Sequence, residues 1–115
     1  MNAQSAERRQ HERVSTERPV TLTDPNHHHF TGKMIDISNH GVGVIMPDNK
    51  FEAVNLQLQF HLPTTSGETP LQVSATITHS CRVRGERLLG LEFTELLPKN
   101  EVAINEFIRF HHRLD

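Results

Sequence analysis

Apolar and polar residues alternate with a period of two along most of the chain. The cleanest run sets Leu56, Leu58, Phe60 and Leu62 against Gln57, Gln59 and His61. A second sets Leu71, Val73, Ala75 and Ile77 against Gln72, Ser74, Thr76 and Thr78, and continues toward Val83. A period of two sends successive side chains to opposite faces, so both runs predict strands with one face buried. Shorter runs complete the set: Val20 and Leu22 within Arg18–Thr23, Met34, Ile35 and Ile37 within Phe30–Ile37, Val42, Val44 and Met46 after Gly41, and Leu89, Leu91 and Phe93. Turn chemistry separates them at Asp24-Pro25-Asn26, Asp36–Gly41, Pro47-Asp48-Asn49 and Arg84-Gly85-Glu86. Pro63–Pro70, rich in Pro, Thr, Ser and Gly, reads as a loop.

After Pro98 the period becomes helical. Ala103, Ile104, Phe107 and Ile108 share one face, which Phe110 and Leu114 extend, and Asn100 is the expected cap. Arg109, His111, His112 and Arg113 lie near the helix end, where the dipole favours cations. About six short strands and one helix predict an all-β sandwich or barrel. The helix's apolar stripe is most simply core or a plug on that barrel, with a partner-binding helix as the other reading.

Residues 1–17 break the alternation. They are polar and charged, with Val14 the only sizeable apolar residue after Met1. They predict a flexible, arginine-rich N-terminal arm, with the folded domain over 18–115. A length of 115 residues allows one domain with a real core and no large lidded cleft.

Charge narrows the chemistry. The net charge of -2 gives no global field for a polymeric nucleic acid. Nine of the twelve basic residues are arginine, and Arg8, Arg9, Arg13 and Arg18 fall in the first 18 positions. Arginine suits two-point recognition of phosphate or a guanine edge. Glu7, Glu12 and Glu17 dilute the cluster, which favours a small specific anion over a long polyanion. The single cysteine, Cys81, excludes an internal disulfide and fits a reducing compartment. The amino terminus lacks the apolar core of a signal peptide, and no apolar run reaches membrane-spanning length. A cytoplasmic protein without membrane insertion is expected.

Two stretches carry candidate chemistry. Asp36-Ile37-Ser38-Asn39-His40-Gly41 puts a carboxylate, a hydroxyl and a glycine on a tight turn. A carboxylate accepts two N–H donors and so matches the N1–H and N2–H₂ edge of guanine. Ser38 can donate to a phosphate oxygen, and Gly41 permits either a positive φ or a close backbone approach. Taken alone the stretch is an ordinary Asx-type turn. Arg8, Arg9 and Arg13 offer forked donors that fit guanine O6 and N7 or a phosphate. Taken alone they are a solvated tail. The adjacent His27, His28 and His29 alternate faces on an extended chain and cannot converge on a metal, so no metal site or catalytic set is expected.

The two stretches in this order resemble a known family. Arg9-Gln10-His11-Glu12-Arg13 is similar to the R-x-x-x-R motif of PilZ domains, and Asp36–Gly41 to their [D/N]-x-S-x-x-G motif. Leu89-Gly90-Leu91-Glu92-Phe93 resembles the last barrel strand of that family, and the likeness runs from Glu7 to Phe110. It implies a six-stranded antiparallel PilZ-type β-barrel with a C-terminal helix, a non-enzyme that binds the second messenger cyclic di-GMP. Arg9 and Arg13 would contact guanine and phosphate, Asp36 a guanine N–H edge and Ser38 phosphate, while Gly41 keeps the turn open. Arg8, just before R-x-x-x-R, resembles the variant that holds an intercalated pair of ligands. The bulky aromatic that walls the pocket in some relatives has no obvious counterpart; His79, Cys81 and Arg82 are candidates. A free-standing domain of this kind must relay its bound state to a downstream protein partner, which no motif identifies. The alternative is a ligand-blind adaptor in motility or pilus assembly. A histidine-based metal hydrolase is supported only by the nine histidines.

Overall fold

A computed structural model describes residues 13–48 and 53–114. Its strands are β1 (Val14–Thr23), β2 (His29–Ile37), β3 (Gly41–Pro47), β4 (Asn55–Thr64), β5 (Gly67–Val83) and β6 (Glu86–Glu95), followed by helix α1 (Pro98–Leu114). The strands pair antiparallel in the order β1-β2-β3-β6-β5-β4 and close into a barrel. The seam between β1 and β4 is short: Thr21, Leu22 and Thr23 pair with Gln59, Leu58 and Gln57. Closure removes the sheet edges that an open sheet would expose.

The barrel interior is filled by the inward set of each alternation. Leu22, Met34, Ile37, Val44, Leu58 and Leu62 are fully buried at 0% exposure. The helix closes one end of this core through Ala103, Ile104 and Phe107. It is tied to the barrel by two polar contacts as well. Asn100 Nδ2 donates to the Gln72 carbonyl of β5 (3.1 Å), and the Thr65 N–H donates to Glu106 Oε1 (2.6 Å).

Several boundaries differ from the sequence reading, each for a physical reason. β1 begins at Val14, so residues 14–17 belong to the barrel and not to the arm; Val14 is 7% exposed and lies opposite Ile37. A register shift between Ser15 and Arg18 breaks the alternation there and hid the strand's start. Residues 1–12 of the expected arm, with Arg8 and Arg9, lie outside the described residues.

Pro63–Pro70 is not a loop. β4 and β5 continue through it, pairing Pro63 with Glu68 and His61 with Pro70, and the chain reverses at Thr65-Ser66. Pro63 lies beyond the part of β4 that pairs with β1, and Pro70 lies before the part of β5 that pairs with β6, so neither missing N–H costs a hydrogen bond on those sides. Gly67, at φ +106°, closes the reversal.

Asn100 is not the helix cap. The Leu97 carbonyl accepts the N–H groups of Asn100 (2.9 Å) and Glu101 (3.0 Å), with Pro98 as first helical residue, where its missing N–H is harmless. Phe110, expected on the buried stripe, is 55% exposed.

Replacing the buried Asn100 by Ala removes its bond to the part-buried Gln72 carbonyl and is expected to lower unfolding stability by about 1 kcal/mol. Phe107→Ala opens a cavity and is expected to cost about 3–5 kcal/mol. Denaturant titration with unchanged m-value checks both; wild-type midpoints would exclude the helix from the cooperative core.

Candidate functional site

Asp36 lies near the end of β2, just after a register shift between Met34 and Asp36. A bulge of this kind re-aims the side chain that follows it. Here it turns the carboxylate outward and over β3, where Gly43 is its cross-strand partner. A Cβ on Gly43 would stand 2.8 Å from Asp36 Oδ1 and 3.0 Å from Oδ2. Only a glycine leaves the carboxylate its place. Gly43 is therefore part of the site, and the sequence reading missed it. The signal was present as a second glycine two positions after Gly41, where a strand residue would ordinarily carry a side chain.

Arg13, just ahead of β1, reaches the same carboxylate: Nη1 donates to Asp36 Oδ1 at 2.6 Å. The two stretches singled out in the sequence thus meet in space. The pair is open to solvent, with 49% and 30% of the side chains exposed, so its own contribution to stability is small. Its importance is positional, since it places a guanidinium and a carboxylate side by side at the surface.

Ser38 differs from its partners in the motif. It is 2% exposed, and its hydroxyl is used within the turn. Oγ accepts the N–H groups of His40 (3.1 Å) and Gly41 (3.3 Å), while the Ser38 N–H donates to the Gly41 carbonyl (2.9 Å). The hydroxyl mimics a backbone turn and fixes the reversal from β2 to β3. Gly41 resolves the two options left by the sequence. It is not among the glycines with positive φ; its Cβ would instead fall 2.0 Å from the Leu91 carbonyl oxygen of β6. Gly41 is there for close backbone approach.

Arg18 does not join this group. Its Nε donates to the His61 carbonyl (2.8 Å) and its Nη2 to Glu68 (2.6 Å), strapping β1 to the β4–β5 hairpin. Of the three candidates for the pocket wall, Arg82 is engaged with Asp48 (3.2 Å) beside Arg87 (3.1 Å). His79 and Cys81 are exposed. Among the described residues no group of side chains could hold a metal ion. The histidine loop is a local structure: the His28 N–H holds the Asp24 carboxyl below its ordinary range, aided by the His28 ring. No helix among the described residues is long and apolar enough to cross a membrane.

The family described as PilZ domain matches residues 7–110 of the chain. No curated protein matches the sequence. Among solved structures, the fold is similar to the Bacillus subtilis inhibitor of motility MotI/DgrA, with TM-score 0.77, 20% identity, and coverage of 92% of this chain and 52% of that one. It is similar to the PilZ domain with c-di-GMP of YcgR from Escherichia coli, with TM-score 0.70, 14% identity and 93% of each chain covered. It is also similar to the Borreliella burgdorferi PlzA protein in complex with c-di-GMP, with TM-score 0.61, 14% identity, and coverage of 96% and 54%. The chain thus spans about half the length of MotI/DgrA and of PlzA. At these identities the likeness is one of fold.

The two site glycines are expected to respond oppositely to alanine. Gly41→Ala sets a methyl against backbone and is expected to cost about 3 kcal/mol or more. Gly43→Ala meets only the movable end of Asp36 and is expected to stay within about 1 kcal/mol of wild type while expelling the carboxylate. Denaturation midpoints check the contrast; equal losses would refute the distinction.

Proposed function

The chain belongs to the PilZ domain family, and on that premise we propose that it is a receptor for cyclic di-GMP with no catalytic role. The observation that carries this reading is the 2.6 Å contact between Arg13 and Asp36, which unites the ends of the two motifs on one outer patch of the barrel. Cyclic di-GMP presents guanine N–H edges and phosphates, and this patch presents a carboxylate and a guanidinium. The PilZ domain of YcgR and the PlzA protein, solved with c-di-GMP, support the same ligand class.

In this reading Asp36 accepts the N–H edge of one guanine, and its pairing with Arg13 holds the carboxylate in place before the ligand arrives. Pre-setting a charge in this way lowers the cost of binding. Arg9 and Arg13 contact phosphate and guanine. Arg8 supplies the further cation that a second, intercalated ligand requires. Ser38 keeps the turn in shape by accepting from His40 and Gly41, and its single O–H reaches phosphate by turning from the Gly41 carbonyl, 3.5 Å away, to the ligand. The polar leader of residues 1–12 orders over the ligand, having too little apolar area to be held down without it. The altered surface is then read by a downstream protein partner in the cytoplasm.

Calorimetric titration with cyclic di-GMP is expected to give micromolar or tighter binding, with GMP much weaker. Arg9→Ala, Arg13→Ala and Asp36→Ala are each expected to lose about 1.5–3 kcal/mol, about tenfold or more in affinity. The surface pair contributes so little to folding that Arg13→Ala remains native, and the loss is read as binding alone. A flat isotherm for the wild-type protein, or unchanged binding in all three variants, would overturn the assignment.

A further inference from the structure

Helix α1 buries one face and leaves the opposite one bare. Ala103, Ile104 and Phe107 pack into the barrel core. Val102, Glu106 and Arg109 recur at spacings of four and three, so they form a second stripe, turned away from that core. Val102 is 62% exposed, the most exposed large apolar side chain among the described residues. Phe110, also exposed, flanks the stripe on the side of the β4–β5 hairpin. There a cleft of about 340 Å³ lies between its ring and Pro63, Thr64 and Thr65.

The charges on this stripe do not satisfy one another. Glu106 and Arg109 stand three residues apart, where an ion pair along the helix would ordinarily form. Glu106 is instead held toward the hairpin, its Oε1 accepting the Thr65 N–H (2.6 Å). Its Oε2 stays open, and Arg109 has no ionic or hydrogen-bonding partner among the described residues.

The stripe thus offers one carboxylate oxygen and one guanidinium, with an apolar side chain beyond each. Such a patch is complementary to itself. A second α1 laid antiparallel, with a two-fold axis between residues 107 and 108, sets Glu106 of each copy level with Arg109 of the other. Each charge meets its opposite, and the contact occurs twice. Phe110 comes level with residue 105 of the second copy, at the edge of its hairpin cleft. A partner of a single charge sign would leave one of the two groups facing a like charge. A two-fold contact uses the same patch on both subunits, which is what one acid and one base on one stripe require.

We propose that the outer face of α1 is a docking surface for a second copy of this chain, the two helices packing antiparallel with reciprocal Glu106–Arg109 ion pairs. Packed helices stand about 8–10 Å apart, within reach of these side chains. The stripe faces away from the core, so the two barrels lie on far sides of the helix pair and do not collide. A helix of 17 residues is about 25 Å long. One face of it buries less than the roughly 1,200–2,000 Å² of a standard interface, so the dimer is weak, half-formed at about 10–100 μM. None of its residues belongs to the Arg13–Asp36 patch, so the dimer carries two such patches and does not depend on the ligand reading.

The test is sedimentation equilibrium of the full chain, without cyclic di-GMP, over about 1 μM to 1 mM. Wild type is expected to pass from monomer to dimer within this range. Arg109→Glu sets carboxylate against carboxylate, and Glu106→Arg sets guanidinium against guanidinium. Each is expected to weaken association about tenfold or more. Mixing the two variants, or combining both changes in one chain, restores opposite charges and is expected to recover wild-type association. Denaturation midpoints verify folding, since Glu106→Arg also loses the Thr65 bond. Arg109→Glu breaks no bond within the described chain, so it decides the matter even where Glu106→Arg fails to fold. A monomer over the whole range, unchanged association of Arg109→Glu, or no recovery in the folded charge swap would overturn the proposal, and each leaves the cyclic di-GMP reading untouched.

Discussion

The site depends on how closely β3 and β6 approach. The Leu91 carbonyl oxygen occupies the space that a Cβ on Gly41 would need, at 2.0 Å from its ideal position. This contact sets the start of β3 against β6 and so the register in which Gly43 meets Gly90. A side chain at residue 41 would push the two backbones apart and carry the carboxylate platform with them. The Ser38 turn feeds Gly41 into that position, so motif residues that touch no solvent still determine where Asp36 stands. A one-residue slip in this pairing would exchange the inner and outer faces of β3, burying glycines and exposing Val42 and Val44.

How much of this was legible in the sequence depended on what each residue faces. β4 and the first half of β5 read correctly because one face is core and the other is solvent, and the alternation records both. The start of β1 was hidden because its bulge disrupts the count between Ser15 and Arg18. Pro63 and Pro70 looked like breakers because a sequence does not say which backbone groups have partners. Asn100 looked like a cap because its residue type is right, but its amide is spent on the Gln72 carbonyl of another element.

The candidate site was legible in its parts and not in its arrangement. Arg13, Asp36, Ser38 and Gly41 were identified by type and order, and Arg13 and Asp36 are in contact. Gly43 was invisible as a site residue, because the function of a glycine here lies in space that a neighbour uses. Arg18 looked like one more member of a cationic cluster, and the long-range bonds that give it a structural task cross 43 and 50 residues of chain. Charge type is local information, whereas its partner is not.

The seam between β1 and β4 has a consequence for motion. Three residue pairs and the Arg18 strap hold it, whereas β4 and β5 pair along ten residues. A hoop opens at its weakest joint, and local opening draws on the segment with the fewest bonds to break. The strand at that joint is the one Arg13 leads into, on the far side from its ladder with β2. That joint lies at the other end of the strand from the grip on Asp36, so the hoop can breathe there with the cation still in place.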